Sequence, residues 1–248
     1  MEGIILTAIG VGGATIVGVL MGFVFKGISH RFSDIVLGFA AGVMLAAAVV
    51  GLILPSIGGN VWVTVVGVFV GAVCLNALDR LVPHLHRLAG VDGEGHPESS
   101  ARLNKILLFV LAIAIHNLPE GIAAGVGFGS GNTAEALTVA GGIALQNIPE
   151  GMVIIAPMLA AGMSRKRTFL IAASTGVVEI IGTFLGYFAV SISSAVLPFV
   201  LAFAGGTMLY VISDEMIPET HSHGCERGST YSLLIGFCLM LVIDFYLG

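Results

Sequence analysis

Apolar residues fill this chain in eight runs of about twenty, broken by short polar or glycine-rich stretches. The runs cover residues 3–25, 35–54, 61–79, 103–127, 134–161, 168–190, 195–217 and 230–247. About twenty consecutive apolar residues is what an α-helix needs to cross the hydrocarbon core of a bilayer. Each run therefore predicts a membrane-spanning helix, and the fold class is an all-α polytopic membrane protein with eight transmembrane helices. Connections such as Pro55–Asn60 and Gly127–Thr133 are so short that the helices they join must be antiparallel neighbours. A single domain over residues 1–248 is predicted, with a longer, polar, histidine-bearing loop at about 80–102.

Composition agrees with that pattern. The chain is 56% hydrophobic and 10% charged, whereas a soluble domain carries about 25% charged residues. No material is left for a separate soluble domain; the lipid bilayer is the expected partner and nucleic acid is not. Cys74, Cys225 and Cys238 form no CxxC pair and imply no disulfide framework. The start Met1-Glu2-Gly3 lacks the basic segment of a signal peptide, so the first run is expected to stay in the mature chain.

The positions of the charges matter more than their sum of −5. Lys26 and Arg31 fall in the first loop, and Arg80, Arg87, Arg102 and Lys105 in or beside the third. Arg165, Lys166 and Arg167 form the fifth, and Arg227 lies in the seventh. All the Lys and Arg thus sit on one side of an eight-span plan, and such an excess marks cytoplasmic loops. The odd loops are predicted to be cytoplasmic and both termini to lie outside.

Chemistry concentrates in the fourth and fifth runs. Ile115-His116-Asn117-Leu118-Pro119-Glu120-Gly121 recurs as Leu145-Gln146-Asn147-Ile148-Pro149-Glu150-Gly151. Ionisable groups at bilayer depth are costly, so by default they face a partner, a cavity or a transported ion. His116 and Glu120 are four residues apart and share a helix face. Pro119 and Pro149 have no N–H to offer the carbonyls of Ile115 and Leu145. Each motif offers amide, carboxylate and a loosened carbonyl within one turn, and the first adds an imidazole. That set reads as a cation site. One Pro-Glu could be only a helix kink; helix packing gives no reason for two copies of Asn-x-Pro-Glu-Gly.

The two motifs read in the same direction along helices that cross the membrane in opposite directions. Phe39-Ala40-Ala41-Gly42-Val43-Met44-Leu45 likewise matches Phe203-Ala204-Gly205-Gly206-Thr207-Met208-Leu209. An inverted repeat of spans 1–3 and 6–8 around a central 4–5 pair fits both matches, and such repeats are a mark of secondary transporters.

Glu179 lies midway along the sixth run with no Lys or Arg in any span interior to neutralise it. Glu120, Glu150 and Glu179 would repel one another if ionised, unless a divalent ion or protons intervened. Carboxylates, amides and one imidazole suit Zn2+, Fe2+ or Mn2+ rather than copper(I), which favours sulfur. Met44, Met152, Met158 and Met208 read as packing residues. Candidate exit-path groups are Asp214 and Glu215 late in the seventh run, His221 and His223 in the seventh loop, and His84 and His86 in the third.

The eight-span plan and the pair His-Asn-x-Pro-Glu-Gly and Gln-Asn-x-Pro-Glu-Gly resemble the ZIP (Zrt/Irt-like) metal transporter family, specifically its bacterial GufA-like branch. The resemblance covers the whole chain. It implies a binuclear metal site of His116, Asn117 and Glu120, Asn147 and Glu150, and Glu179, with Gln146 standing where the repeat has His116. It implies import of zinc, with Cd2+, Fe2+ or Mn2+ as alternatives, as cargo and with no organic cofactor. It also implies an elevator-like motion of spans 1, 4, 5 and 6 against 2, 3, 7 and 8, in a multi-pass inner-membrane protein. Asp214 stands where relatives carry His before the Pro-Glu-Thr-His run. A homodimer is left open. Two other readings compete: a proton- or cation-coupled exchanger, and an intramembrane metalloenzyme. His116 argues against Ca2+, which prefers oxygen ligands. No HExxH or Ser/His arrangement is present, so no enzyme is expected.

Overall fold

The computed structural model describes residues 2–25, 29–58, 60–88, 97–129, 133–160 and 162–247. Among the described residues the regular structure is helical. Helix α1 spans Glu2–Val24, α2 His30–Ser56, α3 Val61–Leu88 and α4 Pro97–Gly129. Helix α5 spans Thr133–Val153 and continues as a short turn at Ile155–Ala160. Helix α6 spans Arg165–Ile192, α7 Leu197–Thr220 and α8 Glu226–Leu247. Among the described residues seven stretches are long and apolar enough to cross a membrane, one in each helix except α4. Helix α4 is the longest, at 33 residues, or about 50 Å at 1.5 Å per residue.

Among the described residues each expected run falls largely within one of the eight helices, and the loop expectation needs one correction. The loop expected at about 80–102 is shorter, because α3 runs on to Leu88 and α4 begins at Pro97. An apolar run marks only the membrane crossing, not the polar turns that continue a helix beyond it. Pro97 also suits the first helical position, where no N–H is required.

Two irregularities lie outside the reach of apolar periodicity. Helix α2 widens to a π-helix over Ala47–Ile53, and α7 does so over Ile212–Met216. In each, the last widened turn is closed by an i→i+5 bond, Leu54 N–H to Val49 O and Ile217 N–H to Ile212 O. Pro55 and Pro218 follow directly. A proline ring clashes with the carbonyl four residues back, and a widened turn gives it room.

Packing divides the helices into two groups. Helix α4 lies chiefly on α6, and α1 lies on α5 and α6. Helix α8 packs on α2, and α3 on α7. Small residues make these close approaches possible, as in membrane bundles generally. A Cβ at Gly125 would collide with the carbonyl of Thr183 across the α4–α6 contact, and one at Gly42 with that of Leu233 across α2–α8. A core of Met44, Leu52, Leu75, Ile143, Met208 and their neighbours fills the junction of α2, α3, α4, α5 and α7. Met158 joins Val19, Val110, Ile155 and Ala172 in a second core. Large apolar side chains such as Leu6, Phe69, Ile181 and Ile235 face outward, as a lipid-facing surface requires. The polar side chains of the motifs face inward instead.

Candidate metal centre

The paired motifs put their prolines inside continuous helix, Pro119 in α4 and Pro149 in α5. Helices α4 and α5 also touch each other, which brings the two carboxylates to one place. His116, Glu120 and Glu150 line a cavity of about 380 Å3 together with Glu215 of α7. His116 Nε2 lies 2.9 Å from Oε1 of Glu215. The buried amide Gln146 Nε2 donates to Oε1 of Glu120 at 2.8 Å.

Behind this face lies a second polar group. Asn147 Nδ2 donates to Glu179 Oε1 and to the backbone carbonyl of Val11, the latter at 3.2 Å. The Thr15 hydroxyl donates to the other Glu179 oxygen at 3.0 Å. Glu120, Glu150 and Glu179 are near enough to feel one another's charge. An ionised carboxylate only accepts hydrogen bonds, and donors are short here. Within the two motifs, Asn117 Oδ1, Glu120 Oε2, Gln146 Oε1, Asn147 Oδ1 and Glu150 Oε1 are buried with no hydrogen-bond partner. Buried polar atoms normally have partners. Five buried oxygens of the two motifs are thus left unpartnered.

Among the described residues no three His, Cys, Asp or Glu side chains already surround one metal position. Two amides stand against the carboxylates, Gln146 on Glu120 and Asn147 on Glu179.

Comparison with known proteins identifies the family. The signature described as ZIP Zinc transporter matches residues 90–244. The zinc transporter GufA of Myxococcus xanthus is 46% identical over 182 residues, covering 73% of this chain and 70% of that protein. The zinc transporter ZIPB of Bordetella bronchiseptica is 39% identical over 247 residues, covering 95% and 78%. The zinc transporter ZupT of Chlorobaculum parvum is 33% identical, covering 94% of this chain and 93% of that protein. The chain belongs to the ZIP family, in its GufA-like branch. Members of the ZIP family are transporters, not enzymes.

Several exit-path residues of this ZIP chain stand away from the centre. Glu215 lines the cavity, but Asp214 on the same widened turn is exposed and is absent from its lining. His221 is held structurally: Nδ1 lies 2.8 Å from the carbonyl of Ile217, and Nε2 lies 3.3 Å from Thr230 Oγ1. His223 does line the cavity. The side chains of His84 and His86 lie outside the described residues. Sequence reasoning missed Thr15, although it stands 164 residues before Glu179, the same offset that separates the Phe39 and Phe203 segments. It also missed His30 and Asp34, for which no comparable signal exists, and Glu219, which the Pro-Glu pair at 218–219 could have marked.

Proposed function

We propose that this chain carries divalent transition-metal ions, zinc foremost, across the membrane through a binuclear site. Its ligands are His116, Asn117 and Glu120 of α4, Gln146, Asn147 and Glu150 of α5, and Glu179 of α6. The observation that carries this reading is the set of unpartnered buried oxygens in the two motifs. The zinc transporters that resemble the chain favour zinc as cargo. In reconstituted vesicles Zn2+ is expected to move faster than Ca2+ by at least about tenfold, since imidazole and mixed ligation disfavour a cation that seeks all-oxygen shells. Equal rates for the two ions would favour a carboxylate exchanger instead.

Helix packing supports an inverted repeat and an elevator-like motion. Exchanging α1 with α6, α2 with α7, α3 with α8 and α4 with α5 turns the α4–α6 pair into α5–α1, and α2–α8 into α7–α3. The finer contacts follow the same exchange: Gly121 meets the Glu179 carbonyl where Gly151 meets that of Thr15, and Gly182 meets Leu118 where Gly18 meets Ile148. The moving group is α1, α4, α5 and α6, and the static group is α2, α3, α7 and α8. The His116–Glu215 contact links the two groups at the metal position.

The basic loops support an orientation. The cavity is lined at one end by buried His116 and Glu120 and at the other by exposed His30, Glu219 and His223. The exposed end lies beside the first and seventh loops, the cytoplasmic side by their Lys and Arg. The site in this conformation therefore faces the cytosol, with the apolar core around Leu52 and Ile143 closing the outer side. A cysteine at Gly58 is expected to label from outside sealed cells and one at Ser99 is not. The opposite pattern would reverse the orientation.

A further inference from the structure

The mouth of the cavity carries chemistry of its own. It is lined by His30 and Ser33 of α2, Glu219 of α7 and His223 just beyond α7. The rings of His30 and His223 are stacked, with centroids 4.5 Å apart and planes inclined by 19°. Beneath them is a carboxylate of unusual burial, Asp34, only 2% exposed. Its Oδ1 lies 3.0 Å from Nδ1 of His223, and its Oδ2 is buried with no partner. A buried carboxylate is costly unless it does something for a neighbour.

What Asp34 does is set the tautomer of His223. A carboxylate oxygen can only accept, so Nδ1 carries the hydrogen. Ser222 makes the same demand: its hydroxyl donates to the Glu219 carbonyl at 2.8 Å and so presents a lone pair to Nδ1, 2.9 Å away. Nε2 of His223 lies 3.4 Å from the same Ser222 oxygen, whose hydrogen goes to the Glu219 carbonyl, so in the neutral ring Nε2 keeps its lone pair. Metal-binding histidines are held this way, one ring nitrogen bound to a carboxylate and the other free to ligate.

We propose that His30 and His223 form a second divalent transition-metal site at the cavity mouth, with Glu219 beside them, water completing the shell, and Asp34 as the positioning residue. This rests on the transport reading above, because an ion leaving Glu120 and Glu150 passes this mouth. Two imidazoles and a carboxylate select Zn2+-like ions over Ca2+ and Mg2+. Both histidines are exposed, so His30 can turn out of the stack to reach about 2.1 Å from the ion, the usual Zn–N length. An exposed, water-completed site binds weakly enough to hand the ion on.

The test is equilibrium binding of Zn2+ to the purified full-length chain in detergent. His223→Ala and His30→Ala are each expected to hold one ion fewer per chain than wild type. The same loss is expected in a Glu120→Ala background, which separates the mouth from the inner centre. Asp34→Asn is expected to keep the site but weaken it about tenfold, the scale at which such supporting carboxylates act. Unchanged stoichiometry in both histidine variants would overturn the proposal, and unchanged affinity in Asp34→Asn would remove Asp34 from it. A wild-type chain that fails to move zinc in vesicles, yet loses one ion with His223→Ala, would sink the transport reading and leave the mouth site standing.

Discussion

Replacing Glu120 with Ala is expected to bring zinc flux in reconstituted vesicles down to the rate of protein-free vesicles. Glu120 is 1% exposed, receives the Gln146 amide on one oxygen and leaves the other without a partner. It feels the charge of both Glu150 and Glu179 and is, on the proposed reading, a carboxylate that two neighbouring ions would share. Removing even a supporting residue behind a metal ligand costs about 10–100-fold in affinity or activity; loss of a shared charged ligand should exceed that. The fold should survive. The substitution strands one buried amide, at about 1–3 kcal/mol, but relieves repulsion among three carboxyl groups. Glu150→Ala is expected to behave alike, whereas Asn117→Ala and Glu179→Ala remove ligands of one ion only and should reduce or retune flux. Wild-type flux in Glu120→Ala at equal expression would make the Pro-Glu motif a structural kink.

Gly125→Leu is expected to destroy the assembly itself. The atom its Cβ would strike is the Thr183 carbonyl oxygen, with the Tyr187 amide nitrogen next in line. Both belong to α6 backbone and cannot rotate away as a side-chain tip could. Helices α4 and α6 must separate, and with them Glu120 and Glu179. Overpacking a well-filled interior costs about 1–3 kcal/mol and more where backbone must move, so a loss above about 3 kcal/mol is expected. Gly141→Leu is the control, since a Cβ there meets nothing within 4 Å. Thermal unfolding of the two variants in detergent checks the difference. Equal midpoints would mean that α4 and α6 do not approach as closely as described.

The membrane spans were legible because apolar run length is itself the quantity a bilayer selects. The paired motifs were legible because polar residues in such runs have no bland role to hide behind. Helix continuation past the bilayer was not, since Arg80–Leu88 and Pro97–Arg102 read as polar loop while the backbone there stays helical. The π-helical turns of α2 and α7 were out of reach for a different reason: they answer a clash between Pro55 or Pro218 and the preceding turn, which apolar periodicity does not record. That same widened turn separates Glu215, at the cavity, from Asp214, exposed beside it. Thr15 and Asp34 show the limit most clearly. Each is a short polar side chain that acquires its role only when a segment distant in sequence places Glu179 or His223 against it.

The two motifs are expected to build one metal centre. Crystals of the wild-type chain soaked in Zn2+ and measured at the zinc absorption edge test it most directly. Anomalous density is expected between the carboxylates of Glu120 and Glu150, on the side of His116. Density confined to surface histidines, with none between Glu120 and Glu150, would contradict it.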